Sequence, residues 1–249
     1  MSKKTKIIIT VVSILVVLGL AAWFFVPRIL IFLGTKSILQ DVGESATYFT
    51  AYDVHAEDVQ TVGNGHITVD IPADFEVNKE YEGGIVYRNA DETASLLIME
   101  PSDMSELNLL DADSFSETIS GLQGAYSVNQ IRKGFEKIGN GLPDSAYNTF
   151  KCVYLLDEDD NSFWSFNQGL AFMISATLKQ TTPAYGHVEI YETDEICGFV
   201  HVQEHEDGTT TGLLEIYRTD DLGTVNSMII KNVERETIYA IMNSAEAAK

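Results

Sequence analysis

The chain changes its hydrophobic rhythm three times. Ile7 to Val26 carries no charged side chain, and at ~1.5 Å per residue a helix of that length reaches about 30 Å, the thickness of a bilayer's hydrocarbon core. A transmembrane helix is therefore predicted over Ile7–Val26. Lys3, Lys4 and Lys6 precede it and Trp23, Phe24 and Phe25 close it, a distribution that places the amino terminus in the cytoplasm and the remainder outside. Gly19-Leu20-Ala21 has the small-x-small form of a signal cleavage site, the rival reading. The length of the run, and its continuation in Ile29–Leu33 past Pro27 and Arg28, favour a retained single-pass anchor. The expected organisation is a tail over 1–6, the span over 7–26, a juxtamembrane helix and connector over 27–57, and one globular domain over 58–249.

Beyond the connector the period falls to two. Val59–Val62 and His66–Ile71 flank Asn64-Gly65, the signature of a two-residue hairpin turn, which sets Val62 opposite Ile67 and Gln60 opposite Val69. Ile67, Val69 and Ile71 share one face, and Pro72 ends the strand. Ile85–Asn89 and Ser95–Met99 form a second hairpin across 90–93. The middle of the chain shifts to helical spacing. Asp113 caps a helix with Phe115, Ile119 and Leu122, closed by Gly124, and another carries Ile131, Phe135 and Ile138 and ends at Gly139-Asn140-Gly141. Pro143 opens a third, with Tyr147, Phe150 and Tyr154 on one face. Asn161 or Ser162 caps the longest, whose stripe from Phe163 to Leu178 predicts burial along its length.

Four strands then return, 187–191, 198–202, 212–217 and 224–230, with Asp207-Gly208 turning the second into the third and setting Phe199 opposite Ile216 and His201 opposite Leu214. A helix over 234–245 closes the chain. The fold class expected is α+β, an N-terminal transmembrane helix followed by an antiparallel sheet covered by helices. A leading strand running into Ile71-Pro-Ala-Asp-Phe75, a hairpin, a helical middle, a meander and a terminal helix together resemble the PsbP/Mog1-type α/β/α sandwich. That resemblance implies a small module that binds or assists other proteins; it carries no catalytic residue to transfer.

Charge narrows the partners. The chain has 37 acidic and 16 basic residues, a formal charge of −21, which repels phosphate backbones and excludes nucleic acid as a natural ligand. A basic protein or divalent cations stay open. Cys152 and Cys197 are the only cysteines, too few to frame a domain of this size, and they pair only if the fold brings them together. No Asn-x-Ser/Thr sequon is present, which points to a bacterial envelope rather than a glycosylated surface.

The candidates for chemistry each fall short of a motif. Asp157, Asp159 and Asn161 match the opening ligand positions of an EF-hand, but Ser162 stands where glycine makes the turn and Gln168 where a bidentate glutamate is needed. His201 and His205, four apart on a strand, lie about 13 Å from one another, too far to share one metal. The same spacing separates Cys197 from His201. His201 is expected on the core side, His66 and His187 at the surface. Neither Gly-x-Ser-x-Gly nor Ser-x-x-Lys occurs. Tyr185, Tyr191, Tyr217 and Trp164 are aromatics of core or surface ladders. No residue is assigned a catalytic, cofactor-binding or metal role. The functional expectation is a membrane-anchored extracytoplasmic binding module without chemistry of its own, with a carboxylate-dependent hydrolase and a cation-binding domain as alternatives.

Overall fold

The computed structural model describes residues 16, 18–33, 44–111, 127–182, 186–206 and 208–248. The meander is its backbone: β8 (His187–Glu192), β9 (Ile196–Glu204), β10 (Thr210–Arg218) and β11 (Asp221–Val233) pair antiparallel in chain order. β11 is long enough to pair β10 on one side and β6 (Ser95–Met99) on the other, and it also holds the short β7 (Ser102–Asp103). From β6 the sheet continues through β5 (Gly84–Arg88), the expected second hairpin, to β4 (Glu76–Tyr81) at the edge. At the opposite edge β1 (Thr47–Tyr48) runs parallel to β8, so the sheet is mixed rather than purely antiparallel.

The first hairpin is not part of this sheet. β2 (Val59–Gly63) and β3 (Ile67–Pro72) form a second, three-stranded sheet with β12 (Glu246–Ala247). Its register differs from the sequence expectation by two residues, with Val62 opposite Val69 and Gln60 opposite Ile71. The reason lies in Asn64, whose side-chain oxygen accepts from the His66 and Ile67 amides at 3.1 Å each, lengthening the turn. Asn64 is not among the positive-φ residues that the tight turn requires, although Gly65 is. The buried face is as expected: Ile67, Val69 and Ile71 are fully enclosed, each worth about 1.5–3 kcal/mol of apolar burial.

The large sheet is covered on both faces. One face packs against the small sheet and the closing helix, α5 (Arg235–Asn243), in a core holding Val200, Leu214, Ile216, Met228, Ile238 and Ile241. The other packs Phe199, Tyr217 and Val188 against Tyr147 and Tyr154 of α3 (Ala146–Tyr154). Behind α3 lie α2 (Val128–Ile138) and α4 (Phe166–Thr181), joined through Ile131, Phe135, Leu170 and Ile174. α2 begins with a reciprocal cap between Ser127 and Gln130 and ends at Gly139 with φ 88°, which a side chain would strain. α3 starts three residues beyond Pro143, capped by Ser145. α4 starts later than expected, at Phe166 after Ser165, and Thr177 is exposed while Phe172 and Ala176 are enclosed. The helix expected around Phe115, Ile119 and Leu122, from Asp113 to Gly124, lies outside the described residues.

The membrane expectation is corrected. Among the described residues no helix is long and apolar enough to cross a membrane, so a transmembrane span, single-pass topology and an extracytoplasmic domain are not supported. The helix over 18–33, α1, would reach only about 24 Å and holds Arg28 within it. It is also laid along the domain. Ile31 is 8% exposed, Phe25 stacks on Phe163 with ring centroids 6.5 Å apart, and Phe32 meets the same ring edge-on at 5.8 Å. Residues 7–15 and 17 of the expected span, and 34–43 of the connector, lie outside the described residues.

Candidate functional site

α1 packs Ile31, Phe25 and Phe32 against the domain and leaves other apolar residues on its outer side. Arg28 lies over the Phe24 ring, its guanidinium carbon 3.6 Å from the centroid, and Nη1 donates to the Phe24 carbonyl at 2.6 Å. Pro27 offers no N–H to the preceding turn, so the Trp23 carbonyl gains no bond from it. On the outer side Val16, Leu20, Trp23 and Leu30 recur four, three and seven residues apart and form one stripe. Trp23 is 78%, Leu30 66% and Leu20 61% exposed. Val26, Ile29 and Leu33 widen the strip. Exposed apolar side chains grouped in this way are uncommon on a folded chain.

Comparison with known protein families and with curated proteins finds no match for this chain. The site therefore rests on its own geometry.

The polar side chains singled out in the sequence are distributed among separate internal networks. His201 is fully buried on the core side, as expected, and its Nε2 lies 3.0 Å from Glu215 Oε2 while Nδ1 is enclosed without a partner. The register explains the pairing. Across β9 and β10, His201 faces Leu213 and Phe199 faces Glu215, one residue from the register expected, because the connection from His205 to Thr209 is longer than a two-residue turn. Asp207 of that turn lies outside the described residues. Tyr154 OH donates to the same Glu215 oxygen at 3.3 Å. Burial pushes the Tyr154, Tyr147 and Tyr217 hydroxyls far above the ordinary tyrosine range. They stay protonated; Tyr154 and Tyr147 donate to Glu215 and Glu192 while the Tyr217 hydroxyl is enclosed without a partner, and none supplies a nucleophile.

His205 bonds Thr211 instead of joining His201. His187 pairs with Thr47 at 2.8 Å. His66, expected at the surface, is drawn into a network with the buried Asn226, which also receives Asn64 at 3.1 Å, and it faces Asp221 at 3.5 Å. That network ties the small sheet to the large one. Two further clusters were missed by sequence reasoning. Glu192 accepts from Tyr147 and Lys151 at 2.8 and 2.6 Å. The buried Glu189 accepts from Tyr239 at 2.6 Å and Arg235 at 3.2 Å. Their only sequence signal is a pair of glutamates three residues apart in β8, one for each face of the strand.

Among the described residues, no group of three or more His, Cys, Asp or Glu is placed to hold a metal ion. The acidic loop uses its carboxylates as caps: Asp157 accepts from the Asp159 amide and Asp160 from the Asp157 amide. Burial raises the Asp160 carboxyl above the usual range, opposed by that amide bond. Cys152 and Cys197 are free, buried thiols, each pushed up to about 12 chiefly by desolvation, which keeps them from acting as thiolates at neutral pH. Trp164 is exposed, while Tyr191 and Tyr217 are core residues; Tyr185 lies outside the described residues.

Proposed function

We propose that this chain is a non-catalytic docking module that holds another protein against the outer stripe of α1. The observation that carries this reading is the exposed run Leu20, Trp23 and Leu30 on a helix whose opposite side is packed against the domain. A helix presenting apolar anchors at such spacings is recognised by laying them into a groove of the partner. The formal charge of −21 opposes association of two copies, so the partner is a different protein with an apolar groove and a neutral or basic rim. The PsbP/Mog1-type likeness, whose members bind or assist other proteins, belongs to this same proposal and is supported by the order of strands and helices.

A photo-crosslinking residue in place of Trp23, in the full chain expressed in its own cells, tests it. A discrete adduct with one other protein is expected, abolished by L20E/L30E. Adducts only between copies of the chain, or equal recovery of unaltered and L20E/L30E chains on protein-free lipid vesicles with no protein adduct, would overturn the reading.

A further inference from the structure

We propose that the cleft between α1 and the starts of α2 and α4 is a binding site for a small aromatic carboxylate. The cleft encloses about 570 Å³, the size range of small-molecule pockets. Its lining includes Trp23, Phe24, Pro27 and Phe166, together with Arg28, Gln130 and Asn167. Aromatic walls with a few convergent polar groups are what a flat, partly polar ligand needs.

Charge decides the polar end of that ligand. In a chain with 37 acidic and 16 basic residues, no carboxylate among the described residues lines this cleft, and among them Arg28 is the one formally charged side chain that does. Among the described residues Arg28 has no ion-pair partner within salt-bridge distance. Its Nη1 is engaged by the Phe24 carbonyl, its Nε is enclosed without a hydrogen-bond partner, and its guanidinium carbon lies 3.6 Å from the Phe24 ring centroid and 5.7 Å from that of Phe166. A guanidinium so placed, stacked and short of an acceptor, is complementary to a carboxylate. Its surroundings add to the attraction. Phe166 and Asn167 open α4, and the Ser165 hydroxyl, which caps no amide there, is instead held by Lys137 Nζ at 2.8 Å. A second cation thus stands beside the helix start, where the helix dipole also favours negative charge.

The cleft shares Trp23 with the docking stripe but takes its charge from Arg28, so R28Q tests it apart from L20E/L30E. Titration calorimetry of the full chain with 2-naphthoate and with its neutral isostere 2-naphthamide separates the contributions. The acid is expected to bind about tenfold more tightly than the amide, the value of one charge-assisted bond. In R28Q that ratio should fall to about one with the amide's affinity unchanged, and R28K should recover part of it. Equal binding of acid and amide by the unaltered chain, or no heat from the acid up to about 5 mM, would overturn the proposal even if R28Q failed to fold. A preserved ratio in folded R28Q would overturn it as well. Chemical-shift changes confined to the Trp23 indole, with the exposed Trp164 as internal control, are the expected signature of the location.

Discussion

β9 and α1 are comparably apolar, yet their fates are opposite. Every residue from Ile196 to Val202 is buried, because β9 has a strand on each side and a packed layer on each face. α1 meets the domain along one side only, through Ile31, Phe25 and Phe32, and leaves Leu20, Trp23 and Leu30 uncovered. Apolar composition therefore sets the demand for burial, and topology decides whether the chain itself satisfies it. The segment left unsatisfied is the one on which the proposed docking rests.

The contrast predicts that substitutions in β9 act on stability and those in α1 on association. Phe199→Ala removes a ring packed among Tyr147, Tyr154 and Tyr217 and should cost about 3–5 kcal/mol in denaturant unfolding. Gly198→Ala places a Cβ 2.2 Å from the Glu215 carbonyl oxygen, a backbone clash that should cost about 1–3 kcal/mol. Glu215→Leu leaves buried His201 without its acceptor and should cost a similar about 1–3 kcal/mol by the same assay. Leu20→Ser or Leu30→Ser, at positions 61% and 66% exposed, should alter stability by no more than about 0.5 kcal/mol while abolishing the adduct formed by the crosslinker at position 23. A loss of several kcal/mol for either would show that the outer stripe is structural and remove the contrast.

The two thiols sharpen the comparison by pH. Their folded pKa values are raised from 9.0 to about 12, so the folded chain retains protons that the unfolded chain releases. Their contribution is fully present below pH 9.0 and declines as pH rises toward about 12. A thiol reagent at pH 8 should label neither cysteine of the folded chain and both after unfolding; labelling of Cys197 in the native state would mean that β9 opens locally.

Where burial imposes a period, the sequence was readable. The meander strands, the β5–β6 hairpin and α2 with its terminal glycine all follow from spacing and caps. Registers were not, because each depends on a turn whose chemistry is tertiary. Asn64 could make a tight turn, but its side chain is committed to neighbouring amides and to Asn226, and the β9–β10 connection holds more residues than its Asp-Gly suggests. β4 was missed because Glu76–Tyr81 is exposed at every position and has no apolar alternation to show. β1 was missed because a two-residue parallel pairing leaves no pattern. The outward stripe of α1 was legible as an apolar run, but length and absence of charge alone suggested the membrane, and only the packing of Ile31 and Phe163 shows which side faces the protein. The cleft was not legible, since its walls come from three helices far apart in sequence.

The polar edge strand bears on how the molecule behaves when concentrated. β4 is the outermost strand of its half of the sheet and bears Glu76, Lys79 and Glu80, with an irregularity in pairing between Val77 and Lys79. A neighbouring chain that tried to extend the ladder there would meet fixed charges and a broken repeat. The opposite border, two residues of β1, is too short to seed stacking. Among the described residues the large sheet thus ends in a charged, irregular strand at one border and a two-residue strand at the other, a pair of borders that disfavours fibre growth.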